Sequence, residues 1–415
     1  MLSPSQKKIL ILIGFISLII LLGVLLYLAF FKPMISSPTP TPVSTSTSGT
    51  TGLPIAGVGD GPNIVNTVTD DTKVSDLLGS ENKLIPSNVA RGGLTKTTEL
   101  NQNQSSGLTL GPNGNTVQYY NNDDGKFYYI NSNGEIFPMT DKVFHQVEKT
   151  TWSPNREKAV LEYPDGSNIV YDFNTGEQIS LPKHWEDFQF SSSGDKLSLK
   201  SIGLDPDNRY FAIANTNGSK AKAIENIGKN GDDVYPSWSP NDQVLALYTE
   251  GIDFNRQEVF FIGQNNENFK STVIEGRGFQ FEWSPEGEKL LYSVYSSDND
   301  MKPSLWLVNS SGEQIGSNRK SLKIETWASK CNYYSSSELY CAVPNELEEG
   351  AGLFPEIAKN TVDTLYKIDI NTGAKKIIAI PDQDYNISNI IISEDGKILY
   401  FTDEKTDRIH KINLQ

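Results

Sequence analysis

The sequence predicts an all-β chain, a seven-bladed β-propeller preceded by one transmembrane helix and a disordered linker. The blades follow from a repeated phrase of an apolar residue, a polar turn and an alternating strand. It reads LGPNGNTVQYY from Leu110, WSPNREKAVLEY from Trp152, FSSSGDKLSLKS from Phe190, WSPNDQVLALYT from Trp238 and WSPEGEKLLYSV from Trp283. It returns as WASKCNYYSSSELYCAV from Trp327, with an insertion, and as ISEDGKILYFTD from Ile392. Successive anchors lie 42, 38, 48, 45, 44 and 65 residues apart. A period of roughly 45 residues holding four short strands is the propeller pattern; six or eight blades are the alternatives. The helix follows from 23 uncharged residues, 9–31, long enough as a helix to span about 34 Å, more than a bilayer core needs.

Taken in order, residues 1–8 form a short cytoplasmic N-terminus. Segment 9–31 is read as an uncleaved anchor, because a signal peptide has a shorter apolar core and a small-residue cleavage site, whereas this run ends Ala29-Phe30-Phe31-Lys32-Pro33. Lys7 and Lys8 precede it and orient the remainder outward. Residues 32–93 begin as a Pro/Thr/Ser-rich linker, too poor in apolar groups to offset chain entropy, and continue as a mixed polar stretch. Residues 94–415 form the propeller.

In the second repeat strand a ends at Trp152, strand b is 159–163, strand c is 168–173 and strand d is 178–181. Asn133-Gly134, Thr175-Gly176, Asn217-Gly218, Ser311-Gly312 and Thr372-Gly373 supply the c–d turns, where glycine permits the positive φ of a tight hairpin. The last repeat ends in strand c at 408–414. Segment 94–100 is therefore expected to close the ring as its outermost strand.

The phrase Trp-Ser-Pro-Glu-Gly-Glu-Lys-Leu-Leu-Tyr from Trp283, with Leu365-Tyr366-Lys367-Ile368-Asp369-Ile370-Asn371-Thr372-Gly373 downstream, resembles the repeat of WD40-like, TolB-type propellers over roughly residues 94–415. The resemblance implies an exported domain working on other proteins of the cell envelope. The chain departs from TolB in having an anchor and spacer in place of a globular N-terminal domain. Related propellers precede the hydrolase domain of prolyl oligopeptidase-like enzymes, but the sequence ends at Gln415 after the last blade and contains no GxSxG elbow.

A net charge of −15 and a pI near 4.8 argue against nucleic acid as a partner. HExxH, Walker and Rossmann patterns are missing from the sequence. His145, His184 and His410 lack ligand-like spacing and read as surface or loop residues. Anchor tryptophans Trp152, Trp238, Trp283 and Trp327 are expected to wedge between blades. Cys331 and Cys341, ten residues apart, are expected to pair across the sixth a–b hairpin; two buried thiols are the alternative.

The b–c loops carry carboxylates in every repeat: Asp123, Asp124, Asp165, Asp205, Asp207, Glu250, Asp253, Asp298, Asp300, Glu346, Glu348, Glu349, Asp403, Glu404 and Asp407. These residues describe either a solubilising rim or a negative funnel that draws in a basic segment of an envelope protein. The long loop at 345–362 is the candidate lid or docking element. No motif implies a cofactor; calcium on the rim is the one candidate. The leading expectation is a membrane-anchored, extracytoplasmic protein-binding or scaffolding module. The alternatives are a metal-assisted hydrolase or lyase on the propeller face, and a carbohydrate or cell-wall binder using Tyr163, Trp185, Phe254 and Tyr385.

Overall fold

The computed structural model describes residues 92–265 and 267–414. The expected span 9–31, and the linker and polar stretch up to residue 91, lie outside the described residues. Among the described residues no helix is long and apolar enough to cross a membrane.

Seven four-stranded antiparallel sheets make up the propeller. Blade 1 is β2 (Ser105–Leu110), β3 (Val117–Asn121), β4 (Lys126–Ile130) and β5 (Ile136–Pro138). Blade 2 is β6 (Lys149–Trp152), β7 (Lys158–Glu162), β8 (Asn168–Asp172) and β9 (Gln178–Leu181). Blade 3 is β10 (Trp185–Phe190), β11 (Lys196–Ile202), β12 (Arg209–Asn215) and β13 (Lys222–Asn226). Blade 4 is β14 (Val234–Pro236), β15 (Ala246–Asp253), β16 (Arg256–Ile262) and β17 (Thr272–Glu275). Blade 5 is β18 (Arg277–Trp283), β19 (Lys289–Tyr295), β20 (Pro303–Asn309) and β21 (Lys320–Ser321). Blade 6 is β22 (Cys331–Tyr333), β23 (Glu338–Pro344), β24 (Asp363–Asp369) and β25 (Lys375–Ala379). Blade 7 takes β26 (Ile387–Ile392), β27 (Ile398–Asp403) and β28 (Arg408–Asn413) from the end of the chain, and β1 (Thr98–Glu99) from the beginning of the propeller.

The ring therefore closes as the sequence suggested. Thr98 pairs with Lys411 and Glu99 with His410. The preceding residues are pinned as well: Thr95 N–H donates to Ile380 O at 2.6 Å, and the Thr97 hydroxyl donates to Asp382 Oδ1 at 2.6 Å.

The repeated phrase builds the a–b turn. Ser153, Ser191, Ser239, Ser284 and Ser393 are buried. Each Oγ accepts the backbone N–H five residues on, at 2.9 to 3.1 Å. Ser153, Ser239 and Ser393 also donate to the Asn or Asp two residues on. The hydroxyl thus satisfies buried turn groups that would otherwise be orphaned. The c–d glycines, such as Gly176 at φ +73° and Gly373 at φ +76°, adopt the predicted left-handed conformation.

The core lies in the seven seams between blades. Strands b and c face two seams at once, so they are apolar on alternate sides and read as nearly continuous hydrophobic runs. In β7, Ala159 and Leu161 pack against Tyr120 and Phe127 of blade 1, while Val160 packs against Leu197 and Leu199 of blade 3. The last seam joins Val117, Tyr119 and Ile130 of blade 1 to Tyr400 and Ile409 of blade 7. Each fully buried side chain of this size contributes about 1.5–3 kcal/mol.

Two expectations need correction. Trp327 is not the sixth anchor. It precedes β22 and caps a short 3-10 turn at Ala328–Lys330, and Tyr333, the last residue of β22, occupies the anchor position: it pairs with Leu339 as Trp152 pairs with Ala159 and Trp283 with Leu290. Trp-Ala-Ser mimics Trp-Ser-Pro, and this displaced the register. His410 is neither surface nor loop: it is buried in the middle of β28, its ring centroid 4.7 Å from that of Tyr385 and 5.3 Å from that of Phe401.

Candidate functional site

Antiparallel blades put all b–c connections at one end of the ring and all a–b and c–d turns at the other. Of the twelve carboxylates on which the funnel reading rests most, eleven are solvent-exposed at the b–c end: Asp123, Asp124, Asp205, Asp207, Asp253, Asp298, Asp300, Glu346, Glu348, Glu349 and Asp407. Asp403 is the exception. It is the last residue of β27 and only 3% exposed; Oδ1 accepts the Asn386 N–H at 3.1 Å and Oδ2 accepts the Thr406 hydroxyl at 2.8 Å. Strand alternation points it into the seam, so it is not a rim group.

Several rim carboxylates are occupied locally. Asp124 accepts the Tyr128 hydroxyl at 2.6 Å, Asp205 accepts the Asp207 N–H at 3.1 Å, and Asp253 is ion-paired to Arg256 at 2.6 Å. The hydrogen bonds and Lys183 hold Asp165 down at about 2, the Ser167 hydroxyl first among them. The side chains of Asp298, Asp300, Glu346, Glu348 and Glu349 are turned to solvent, with no local partner of this kind among the described residues.

These free carboxylates share one ledge across blades 4 to 6. Asn255, at the tip between β15 and β16, donates to Ser297 Oγ at 2.6 Å and accepts the Ser297 N–H at 3.1 Å. The long b–c loop of blade 6 folds back onto blade 5: Gly350 N–H donates to Asp300 O at 2.8 Å, and Gly352 N–H to Met301 O at 2.7 Å. Ile252, Phe254, Leu353, Phe354 and Ile357 project from the ledge into solvent; Phe254 is 64% exposed and Phe354 59%. Sequence reasoning found the ledge acids but, Phe254 apart, missed these apolar tips. Exposed and buried apolar residues look alike until strand register assigns them to b–c loops.

The blade 6 loop, the candidate lid or docking element, is anchored from beneath by buried contacts. Trp327, only 7% exposed, packs against Leu347, Ala351 and Ala358. Lys330 Nζ lies 2.7 Å from Asp363 Oδ2, with both side chains buried, and also donates to Asn386 Oδ1. The Asn386 amide in turn donates to Ala358 O and Lys359 O at 3.2 and 2.9 Å. Burial pushes the Asp363 carboxyl up against the opposing pull of Lys330.

The central channel is lined by strand a of each blade. Towards the a–b end it widens into a cavity of about 610 Å³, bordered by Leu110, Arg156, Glu282, Tyr333, Ile392 and Glu394. Glu282 opens onto the channel, yet the enclosing blades desolvate it and push its carboxyl up to about 7. Burial raises the Tyr333 hydroxyl, with Glu282 adding to the shift. Alternation beside Trp283 was the available signal for Glu282. Nearer the b–c end, Asp187 meets Lys149 at 2.8 Å and Lys200 at 2.9 Å. Burial alone would raise Asp187; the two lysines outweigh it and hold it below the usual range.

Cys331 and Cys341 are directly opposed on β22 and β23, Cα to Cα 4.1 Å, and are disulfide-bonded. Among the proposed carbohydrate-binding aromatics, Trp185 and Tyr385 are buried, because Trp185 opens β10 and Tyr385 packs on Phe401; Tyr163 is half-buried, and only Phe254 is exposed. Among the described residues no three His, Cys, Asp or Glu side chains converge in metal-holding geometry.

No family model matches the chain, and no curated protein matches its sequence. Solved structures do resemble it. Oligogalacturonate lyase in complex with manganese is 13% identical with a TM-score of 0.50, over 77% of this chain and 93% of that one. The β-propeller domain of Cps50 (Swd1) from Myceliophteria thermophila is 10% identical with a TM-score of 0.51, over 77% and 100%. A structure from a study of two prolyl endopeptidases is 12% identical with a TM-score of 0.51, over 76% and 49%. At these identities the likeness is one of fold: the chain is an all-β, seven-bladed propeller.

Proposed function

We propose that this chain is a single-pass membrane protein whose extracytoplasmic propeller is a protein-binding or scaffolding module of the cell envelope. Its partner presents a basic segment bearing apolar side chains, which docks on the ledge of blades 4 to 6. The observation that carries this reading is the coincidence, on one hydrogen-bonded ledge, of exposed Phe254, Leu353, Phe354 and Ile357 with uncompensated Asp298, Asp300, Glu346, Glu348 and Glu349. Apolar groups set in a charged rim are the composition of a recognition surface. The carboxylates supply steering and the choice of sign. Photo-crosslinkers placed at Phe254 and Phe354 in the native envelope test it. The expected result is a discrete adduct with a protein through a Lys- or Arg-rich segment, formed from neither Ile136 nor Phe137 on the outer strand of blade 1. Adducts no different from those of Ile136 would overturn the reading.

A second reading, an enzyme working in the channel, is favoured by Glu282, a carboxyl tuned near neutrality beside Tyr333 in the channel cavity of about 610 Å³. Propellers of this shape include proteins named as a lyase and as endopeptidases, so fold alone leaves both readings standing.

A further inference from the structure

In a chain of net charge −15, one cavity is bordered by lysines and amides and by no carboxylate. It lies at the seam of blades 5 and 6, on the end opposite the acidic ledge, and has a volume of about 210 Å³. Three consecutive strands of blade 5 supply its polar wall. Lys289 begins β19, Asn309 stands directly across from it at the end of β20, and Lys320 begins β21. Asn371, from the c–d turn of blade 6, faces them, and Asn318 closes the outer side.

The lysines are held in place without being neutralised. Lys320 Nζ donates to Asn371 O at 2.9 Å and to Ile370 O at 3.3 Å; Lys289 Nζ donates to Asn371 Oδ1 at 3.3 Å. An ammonium carries three N–H donors, so one remains on Lys320 and two on Lys289. Asp369 is the nearby carboxylate, and its Oδ1 is spent on its own turn, accepting the Asn371 and Thr372 N–H groups at 2.9 Å each. Burial and the neighbouring Lys289 together depress Lys320, outweighing the opposing pull of Asp369. Two like charges side by side with spare donors are what an anion between them would relieve.

We infer that this cavity is a binding site for one small tetrahedral oxyanion, phosphate or sulfate, held by Lys289 and Lys320 with the amides of Asn318 and Asn371. The site is independent of the partner-binding ledge, and its loss leaves that reading intact.

Titration of the full-length chain, in a neutral detergent, with inorganic phosphate and with sodium sulfate, followed by calorimetry, tests the inference. The expected result is saturable one-to-one binding of at least one of the two anions against a constant background of sodium chloride. Lys289→Gln and Lys320→Gln should each weaken it by about tenfold or more, the loss that goes with one charge-assisted hydrogen bond. Lys302→Gln, on the opposite end of the ring, should leave it unchanged. Lys289→Arg should bind more tightly than Lys289→Gln, a rescue that a merely structural role would not give. If Lys320→Gln fails to fold, Lys289→Gln alone decides. The inference is overturned if neither anion binds saturably, if chloride reproduces the effect, or if binding survives in Lys289→Gln.

Discussion

The two ends of the ring are built on different rules. At the a–b end most of the turns are copies of one another, with a buried serine closing each of five hairpins through the same pair of atoms. At the b–c end the connections vary widely, from the tight turn between β7 and β8 to the long loop between β23 and β24. Repetition serves the ring, because a blade packs on its neighbours only if each hairpin returns at the same height. Variation is tolerated at the other end, because the b–c loops are relieved of that duty. The exposed aromatics of the ledge stand on the variable end, carried by a rigid scaffold.

The comparison can be broken at several points. Deleting 94–100 removes the closing strand from blade 7 and leaves β28 as an open edge. Tm should fall on the order of 10 °C or more, read by calorimetry; an unchanged Tm would refute closure by that segment. Lys330→Met strands a buried Asp363 carboxyl under the ledge and should cost about 3–5 kcal/mol in denaturant unfolding. A smaller loss would mean that the variable end is not anchored as described. Ser239→Ala, in the blade 4 copy of the repeated turn, should cost about 1–3 kcal/mol, because Val244 N–H and Asn241 lose their shared partner.

His410 adds a pH dependence at the seam. Its folded pKa is depressed by burial, against the pull of Asp403 and Glu99 and with Arg408 reinforcing it. The unfolded chain therefore binds the proton more readily. Stability is full above about pH 6.5 and declines as pH drops below it, by at most about 1.4 kcal/mol per unit for one proton. His410→Phe should flatten that limb of the unfolding curve. Smallest in stability and largest in binding is the change of Glu346, Glu348 and Glu349 to Gln. Unfolding should move by less than about 0.5 kcal/mol, while affinity for the crosslinked basic partner drops and its salt dependence shrinks. Undiminished binding would return the rim to a solubilising role.

The repeated end was legible because its residues do their chemistry locally. Ser-x-Asn and Ser-x-Asp bond within six residues, so the sequence contains the whole device. The other end was legible only in part. Asp403 and Asp407 are four residues apart and chemically identical, yet Asp403 ends β27 in the seam and is buried, whereas Asp407 lies in the turn before β28 and is exposed. Trp327 copies the anchor phrase but serves the ledge, and only the pairing of Cys331 with Cys341 reveals where β22 begins. Phe254 and Phe354 take their meaning from neighbours in other blades, as do Lys289 and Lys320, which converge on a turn of the next blade. Such residues are defined by contacts that sequence spacing does not encode.

The closing strand also sets an order of events. Glu99 and Arg408, 309 residues apart, meet across the last pairing of the ring. While the chain is being made, six blades can assemble before the partner of β1 exists. β1 must then wait unpaired, so the ring is the product of a late, long-range capture. The population most exposed to misassembly is the open horseshoe, whose two free ends can find another molecule before they find each other.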